Sequence, residues 1–284
     1  DMVYVYTRTS HPLMNFDRDG NFLRSWGEDI LKDAHGLCID AQGNMFMVDR
    51  ESQIAMKYTA DGQKVFELGN RDQPSDTGYA ENRVVERAAG PFNTPTGVTV
   101  NAAGEIFVSD GYGNSRVHRY DANGKHILSW GEPGSDPGQF SLPHNITMWG
   151  EDKVVVADRE NFRLQIFSID GEFVDQWHIY HPMSVLRGRG DDEAFYVGEM
   201  GPPPVQEGVP GLGFKVSMWD ESGNYIQSIG ADLPGQDADQ FCGPHGMAID
   251  SKGNIYVAEV SWTFYYSKRD NPPLGEIVSL RKWA

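Results

Sequence analysis

Cysteine is nearly absent. Cys38 and Cys242 are the only two in 284 residues, so at most one disulfide can form. A disulfide-stapled scaffold is excluded, and the redox compartment is left open. Basic residues are also scarce: 24 Lys plus Arg stand against 41 Asp plus Glu, a formal net charge of −17. Such a surface repels phosphate backbones and anionic lipid, so neither nucleic acid nor a membrane surface is an expected partner. No apolar run approaches the roughly 18 residues of a spanning helix. The opening DMVYVYTRTS lacks the basic and apolar regions of a signal peptide. The chain is therefore expected to be soluble, with a secreted or periplasmic location open if a leader once preceded residue 1. What is present is 39% hydrophobic residues, enough for a substantial core, and a length ordinary for one all-β propeller or barrel. Residues 1–284 are read as one domain.

The sequence repeats. Segments 33–49 (DAHGLCIDAQGNMFMVD), 94–110 (TPTGVTVNAAGEIFVSD), 142–158 (LPHNITMWGEDKVVVAD) and 243–259 (GPHGMAIDSKGNIYVAE) superimpose without gaps. Each reads as strand, polar turn, strand. Stretches such as IAMKYTADGQKVFELG and SRVHRYDANGKHILSWG follow them, and their DG and NG turns signal hairpins. The unit is a four-stranded meander, the size of a propeller blade. A degraded copy runs from His181 through AFYVGE to KVSMWDESGNYIQSIG. A partial copy, MVYVYT, PLMNFD and FLRSWG, opens the chain as strands two to four of a blade. The count is six blades, an all-β, six-bladed propeller, with strand one of blade 1 and strand four of blade 6 not visible. Segments 70–92 and 200–213 are too long and too polar or Pro/Gly-rich for turns, and read as loop insertions of the kind that cover sites.

In register, the position opening strand one is His35, Thr96, His144, Met183 and His245 in blades 2 to 6. Histidine falls in every second blade. Since first strands line the propeller axis, alternate members of a six-membered ring would converge as a tripod, leaving a coordination position open for water or substrate. One histidine at a strand start is ordinarily a hydrogen-bonded structural residue; three in strict alternation are hard to obtain by accident. Zinc is the favoured metal for three neutral imidazoles. His11, His118, His126, His178 and His181 lie off the ring and read as surface or loop residues.

A second repeating position ends strand two: Thr7-Arg8-Thr9, Asp49-Arg50-Glu51, Asp110-Gly111-Tyr112 and Asp158-Arg159-Glu160. Asn114 with Arg116 and Asn161 with Arg163 recur as N-x-R, which points to hydrogen bonding between blades. Asp110 and Asp158 read as structural. Tyr112 differs from its counterparts, and a phenol near a metal and an arginine can act as a base; an aromatic packed at a loop is the plainer reading. Gly113 after it is read as relaxing the backbone.

VSDGYGNSRV (108–117), GQFSLPHNI (138–146) and VADRENFRLQIF (156–167) resemble the catalytic core of the peptidyl-α-hydroxyglycine α-amidating lyase family, over most of the chain from about Val3 to Val257. The resemblance implies a six-bladed propeller of NHL-type repeats that holds zinc through His35, His144 and His245. It implies Tyr112 as the catalytic tyrosine, and Arg8 and Arg159 as active-site arginines. The implied substrate is a small molecule or peptide terminus bearing a carbinolamide, cleaved at its N–C bond to an amide and glyoxylate or a related aldehyde. The metal would hold the hydroxyl oxygen, Tyr112 would take a proton, and an arginine would bind carboxylate.

Two departures from the family pattern matter. Gly246 replaces the carboxylate that supports a structural calcium, so tightly held calcium is not expected. Gly113 replaces a disulfide cysteine next to the tyrosine. A zinc-dependent lactone or ester hydrolase and a non-catalytic NHL interaction module stay open as alternatives. The sequence does not fix the oligomeric state.

Overall fold

The computed structural model describes residues 2–80, 84–271 and 275–283, and the chain divides into two compact units, Asp1–Gln176 and Trp177–Ala284. In the first, blade 1 is an antiparallel sheet of β1 (Met2–Tyr6), β2 (Leu13–Asp17) and β3 (Phe22–Trp26). Blade 2 is β4 (Ala34–Ile39), β5 (Met45–Asp49), β6 (Ile54–Tyr58) and β7 (Lys64–Gly69). Blade 3 is β8 (Pro95–Val100), β9 (Ile106–Asp110), β10 (Arg116–Tyr120) and β11 (His126–Trp130). Blade 4 is β12 (Pro143–Trp149), β13 (Lys153–Asp158), β14 (Arg163–Ser168) and β15 (Phe173–His178), the last running just past the boundary.

In the second unit, blade 5 is β16 (Pro182–Arg187), β17 (Phe195–Glu199), β18 (Lys215–Trp219) and β19 (Tyr225–Ile229). Blade 6 is β20 (Pro244–Ile249), β21 (Ile255–Glu259) and β22 (Leu280–Trp283). The chain is thus all-β, a six-bladed β-propeller in class, with the three strands of blade 1 where the sequence put them. Blade 6 has no fourth strand among the described residues, as read from sequence, and residues 260–279, with a helical turn at Ser261–Phe264, separate its third strand from β21.

Strand two of each of blades 2 to 4 is buried on both faces, and alternation divides those faces between neighbours. In β5, Met45 and Met47 pack with Leu13 of blade 1, while Phe46 and Val48 pack with Val98, Ile106 and Val108 of blade 3. In β9, Phe107 turns the other way, onto Ile146, Val154 and Val156 of blade 4. Each fully buried side chain of this size contributes roughly 1.5–3 kcal/mol, and burial on both faces is why Met45 to Val48 and Ile106 to Val108 read as unbroken apolar runs rather than as alternating ones. Outer strands such as β3 and β19 are mostly exposed.

Four hairpins share one turn, Asp-x-x-Gly-Asn. The carboxylates of Asp17, Asp40, Asp220 and Asp250 each accept main-chain N–H bonds from the turn and a side-chain bond from Asn21, Asn44, Asn224 and Asn254 respectively. Gly62 and Gly124, in the DG and NG turns, have φ of +88° and +83°, which only glycine adopts without steric cost.

One histidine reading is corrected. His118 is not a surface or loop residue: it lies on β10, 1% exposed, with Nδ1 2.9 Å from Ser129 Oγ and Nε2 3.5 Å from Asp110. The inward alternation of RVHRY places it against the Phe92 ring. Burial lowers its imidazole pKa and pushes the Asp110 carboxyl up.

Candidate active site

In every blade from 2 to 6 the first strand begins with a bulge at the position read as the ring. Pro143 pairs with Asp158 and Asn145 with Ala157, so His144 is the unpaired residue; Thr96, Met183 and His245 are skipped in the same way. In blade 2, His35 and Gly36 fall between the pairs Ala34–Asp49 and Leu37–Met47. A bulge takes one side chain out of the pleat's alternation and re-aims it. The blade 5 register is therefore Met183, with His181 two residues earlier at φ +42°.

The strand start is fixed by the acid that ends strand two of the same blade. Asp49 accepts the Lys32 amide at 2.6 Å, Asp110 the Asn93 amide at 3.0 Å, Asp158 the Ser141 amide at 2.8 Å and Glu259 the Cys242 amide at 2.6 Å. Desolvation raises the carboxyl pKa of Asp158 and Glu259 as it does that of Asp110. The Asn161 and Arg163 pair and Asn114 belong to this frame, while Arg116 reaches the Gly131 carbonyl instead. Asn161 and Arg163 hold Asp158 and donate to carbonyls of the segment that joins blade 3 to blade 4. Asn114 holds Asp110 and the Ala89 carbonyl.

On that frame the first unit brings His35, His144 and Tyr112 together. His35 Nδ1 lies 2.6 Å from the Thr96 carbonyl, which can only accept, so Nδ1 carries the proton and Nε2 presents its lone pair. His35 Nε2 is 3.3 Å, and His144 Nε2 2.9 Å, from the Tyr112 hydroxyl. The two imidazoles offer nitrogens within 4.8 Å of each other, so modest rotations suffice to share one ion at the roughly 2.0–2.1 Å of a metal–imidazole bond. The donor set fits a borderline divalent metal: two imidazoles, one with its far nitrogen fixed by a carbonyl. Thr96 Oγ1 also donates to the Pro143 carbonyl at 2.6 Å, tying the residue before His144 to the residue that orients His35. His245 lies in the second unit, half-buried in the bulge of β20.

Tyr112 is held by close packing. A Cβ on Gly111 would stand 2.2 Å from the Pro143 carbonyl oxygen, and one on Gly113 2.1 Å from Asn93 Oδ1. Neither glycine has a left-handed φ, so Gly113 supplies room rather than the conformational freedom expected from sequence. The 70–92 insertion supports the same loop through buried Thr77, which donates to the Gly113 carbonyl at 2.6 Å.

Guanidinium groups surround this cluster. Arg8, in the loop after β1, reaches Asp33 Oδ1 at 2.7 Å and the Ala34 carbonyl at 3.0 Å, beside His35. Arg159 follows β13, buried, with Cζ 5.5 Å from the centre of the Tyr112 ring; its Nε binds Glu160, and its buried Nη1 has no hydrogen-bond partner. Sequence reasoning passed over Arg50, whose Cζ stands 4.8 Å from the same ring centre. The signal was available, because Arg50 and Arg159 occupy the same repeat position. Thr96 and Asp33 were also missed as supports: one acts through its carbonyl and the other lies outside the aligned ring positions.

An NHL repeat model matches residues 92–120 and 241–264. The chain is 32% identical over 263 residues to peptidyl-glycine alpha-amidating monooxygenase B of Xenopus laevis, covering 88% of this chain and 28% of that protein. It is 28% identical over 261 residues to peptidyl-alpha-hydroxyglycine alpha-amidating lyase 1 of Drosophila melanogaster, covering 85% of this chain and 45% of that one. The chain thus spans less than half of either relative. A solved streptogramin B lyase superimposes with a TM-score of 0.60 at 16% identity, covering 91% of this chain and 72% of that one, a likeness of fold. Among the described residues no helix is long and apolar enough to cross a membrane.

Proposed function

As a member of the peptidyl-α-hydroxyglycine α-amidating lyase family of NHL-repeat propellers, this chain, we propose, holds a zinc ion through His35, His144 and His245 and cleaves the N–C bond of a carbinolamide. The observation that carries the reading is the Tyr112 hydroxyl lodged between the Nε2 atoms of His35 and His144. When bound, the metal supplies Lewis acidity toward a substrate oxygen. Tyr112 takes the carbinol proton, the oxygen electrons form the aldehyde C=O, the C–N bond breaks, and the proton passes to the departing amide nitrogen. The products are an amide and glyoxylate. Arg159, with its free buried Nη1, binds the substrate carboxylate, and Arg8 adds positive charge beside His35. Chelator-free protein is expected to carry about one equivalent of divalent metal, zinc foremost, and to release glyoxylate from α-hydroxyhippurate. His144→Ala is expected to lose the metal while keeping its far-ultraviolet dichroism. A metal-free protein with full activity ends the metal reading. Ester or lactone hydrolysis without glyoxylate release favours the hydrolase instead, and neither metal nor turnover leaves an interaction module.

A further inference from the structure

Blades 2 and 4 flank blade 3, and each sends an arginine from the same repeat position onto the Tyr112 ring, Arg50 at 4.8 Å and Arg159 at 5.5 Å. Three guanidiniums, Arg8, Arg50 and Arg159, make direct ion pairs with only two carboxylates among the described residues, Asp33 and Glu160, and Glu51 acts on Arg50 without contacting it. Among the described residues the one hydrogen bond of the Arg50 side chain runs from Nε to Asp33 Oδ2, at 2.5 Å. Asp33 also receives Arg8 at 2.7 Å, so one carboxylate anchors two arginines and does not neutralise both. A guanidinium fixed at Nε, with its terminal nitrogens left for a ligand, has the geometry for a carboxylate.

We infer that Arg50 is a specificity residue for a second substrate anion, so that the site prefers a carbinolamide bearing one carboxylate beside the reacting carbon and another on its acyl side. Arg159 takes the first and Arg50 the second. This rests on the lyase reading for its substrate, but its test does not need turnover. Hippurate and 4-carboxyhippurate, which lack the reacting hydroxyl, are titrated calorimetrically into metal-loaded wild type, Arg50→Met and Arg50→Lys. Wild type is expected to bind the dicarboxylate at least about tenfold more tightly, the factor one charge-assisted contact supplies. Arg50→Met brings that ratio to about one, and Arg50→Lys keeps part of it. Unchanged metal content and melting temperature show that each variant is folded. A wild-type ratio near one, or a ratio that survives Arg50→Met, overturns the inference. Glyoxylate release from the two α-hydroxylated compounds is measured separately: none from either, with the binding ratio intact, overturns the lyase reading and leaves the anion site standing.

Discussion

At the scale of single residues, the candidate site is a phenol placed against two imidazoles. The Thr96 carbonyl fixes which nitrogen of His35 faces Tyr112, and the partnerless Nη1 of Arg159 leaves a buried donor for a ligand. Buried donors are rarely left unmade, so a water or a ligand oxygen can complete it. Tyr112→Phe removes the hydroxyl while leaving the ring that Arg50 and Arg159 stack on. It is expected to lower kcat by about a hundredfold, the scale of a general base, with metal content unchanged. Steady-state kinetics on α-hydroxyhippurate decide it: a rise in KM at constant kcat means that the tyrosine binds rather than transfers a proton.

At the scale of elements, the bulge that opens each first strand and the acid that ends each second strand form one device. The acid fixes the strand start, and the bulge aims the next side chain. Glycines make room where blades meet, and Gly111 leaves no space for a Cβ beside the Pro143 carbonyl. Gly111→Ala is expected to cost about 1–3 kcal/mol by overpacking and to lower turnover by displacing Tyr112; urea unfolding with kinetics on one sample checks both. Three of the Asp-x-x-Gly-Asn turns, at Asp17, Asp220 and Asp250, carry a pH dependence. The Asn21 and Asn224 amides hold the Asp17 and Asp220 carboxyls below the ordinary value. For Asp250, desolvation raises the carboxyl pKa, but the bonds from Asn254 and the turn amides outweigh it and bring it to about 2. A depressed folded-state pKa gives stability that is complete above the unfolded value and is lost as pH falls. The melting temperature is therefore expected to drop between about pH 4 and pH 2. Asn224→Ala is expected to lower it more at pH 6 than at pH 2, and an equal shift at both assigns the acid loss to other groups.

At the scale of the whole molecule, six repeats differ in what they retain. Blades 2 to 4 keep four strands and a two-faced buried second strand, while blades 1 and 6 have three strands among the described residues. Gly246, next to His245, offers no carboxylate, and a calcium held by carbonyls and water alone is weakly bound. The melting temperature is accordingly expected to be indifferent to a calcium-selective chelator. A large drop, read by calorimetry before and after chelation, shows that another group replaces the missing carboxylate.

The sequence by itself determined the blades, their order, and the repeat positions of the histidines, Tyr112, Arg8 and Arg159. Strand pairing follows turn chemistry and alternation, and both are local and repeated. It could not show that the ring position is a bulge, because an unpaired residue is defined by its partner strand. Nor could it show that Arg50 reaches a tyrosine of the next blade, that His118 is buried, or that Gly113 makes room for Asn93 rather than turning the chain. The Arg50 contact joins neighbouring blades and the others join separate segments of one blade, and in each case the tertiary structure alone sets which backbone or side chain lies across the gap. The bounds of β22, the third strand of blade 6, are likewise set by its pairing with β21, not by its own four residues, LRKW.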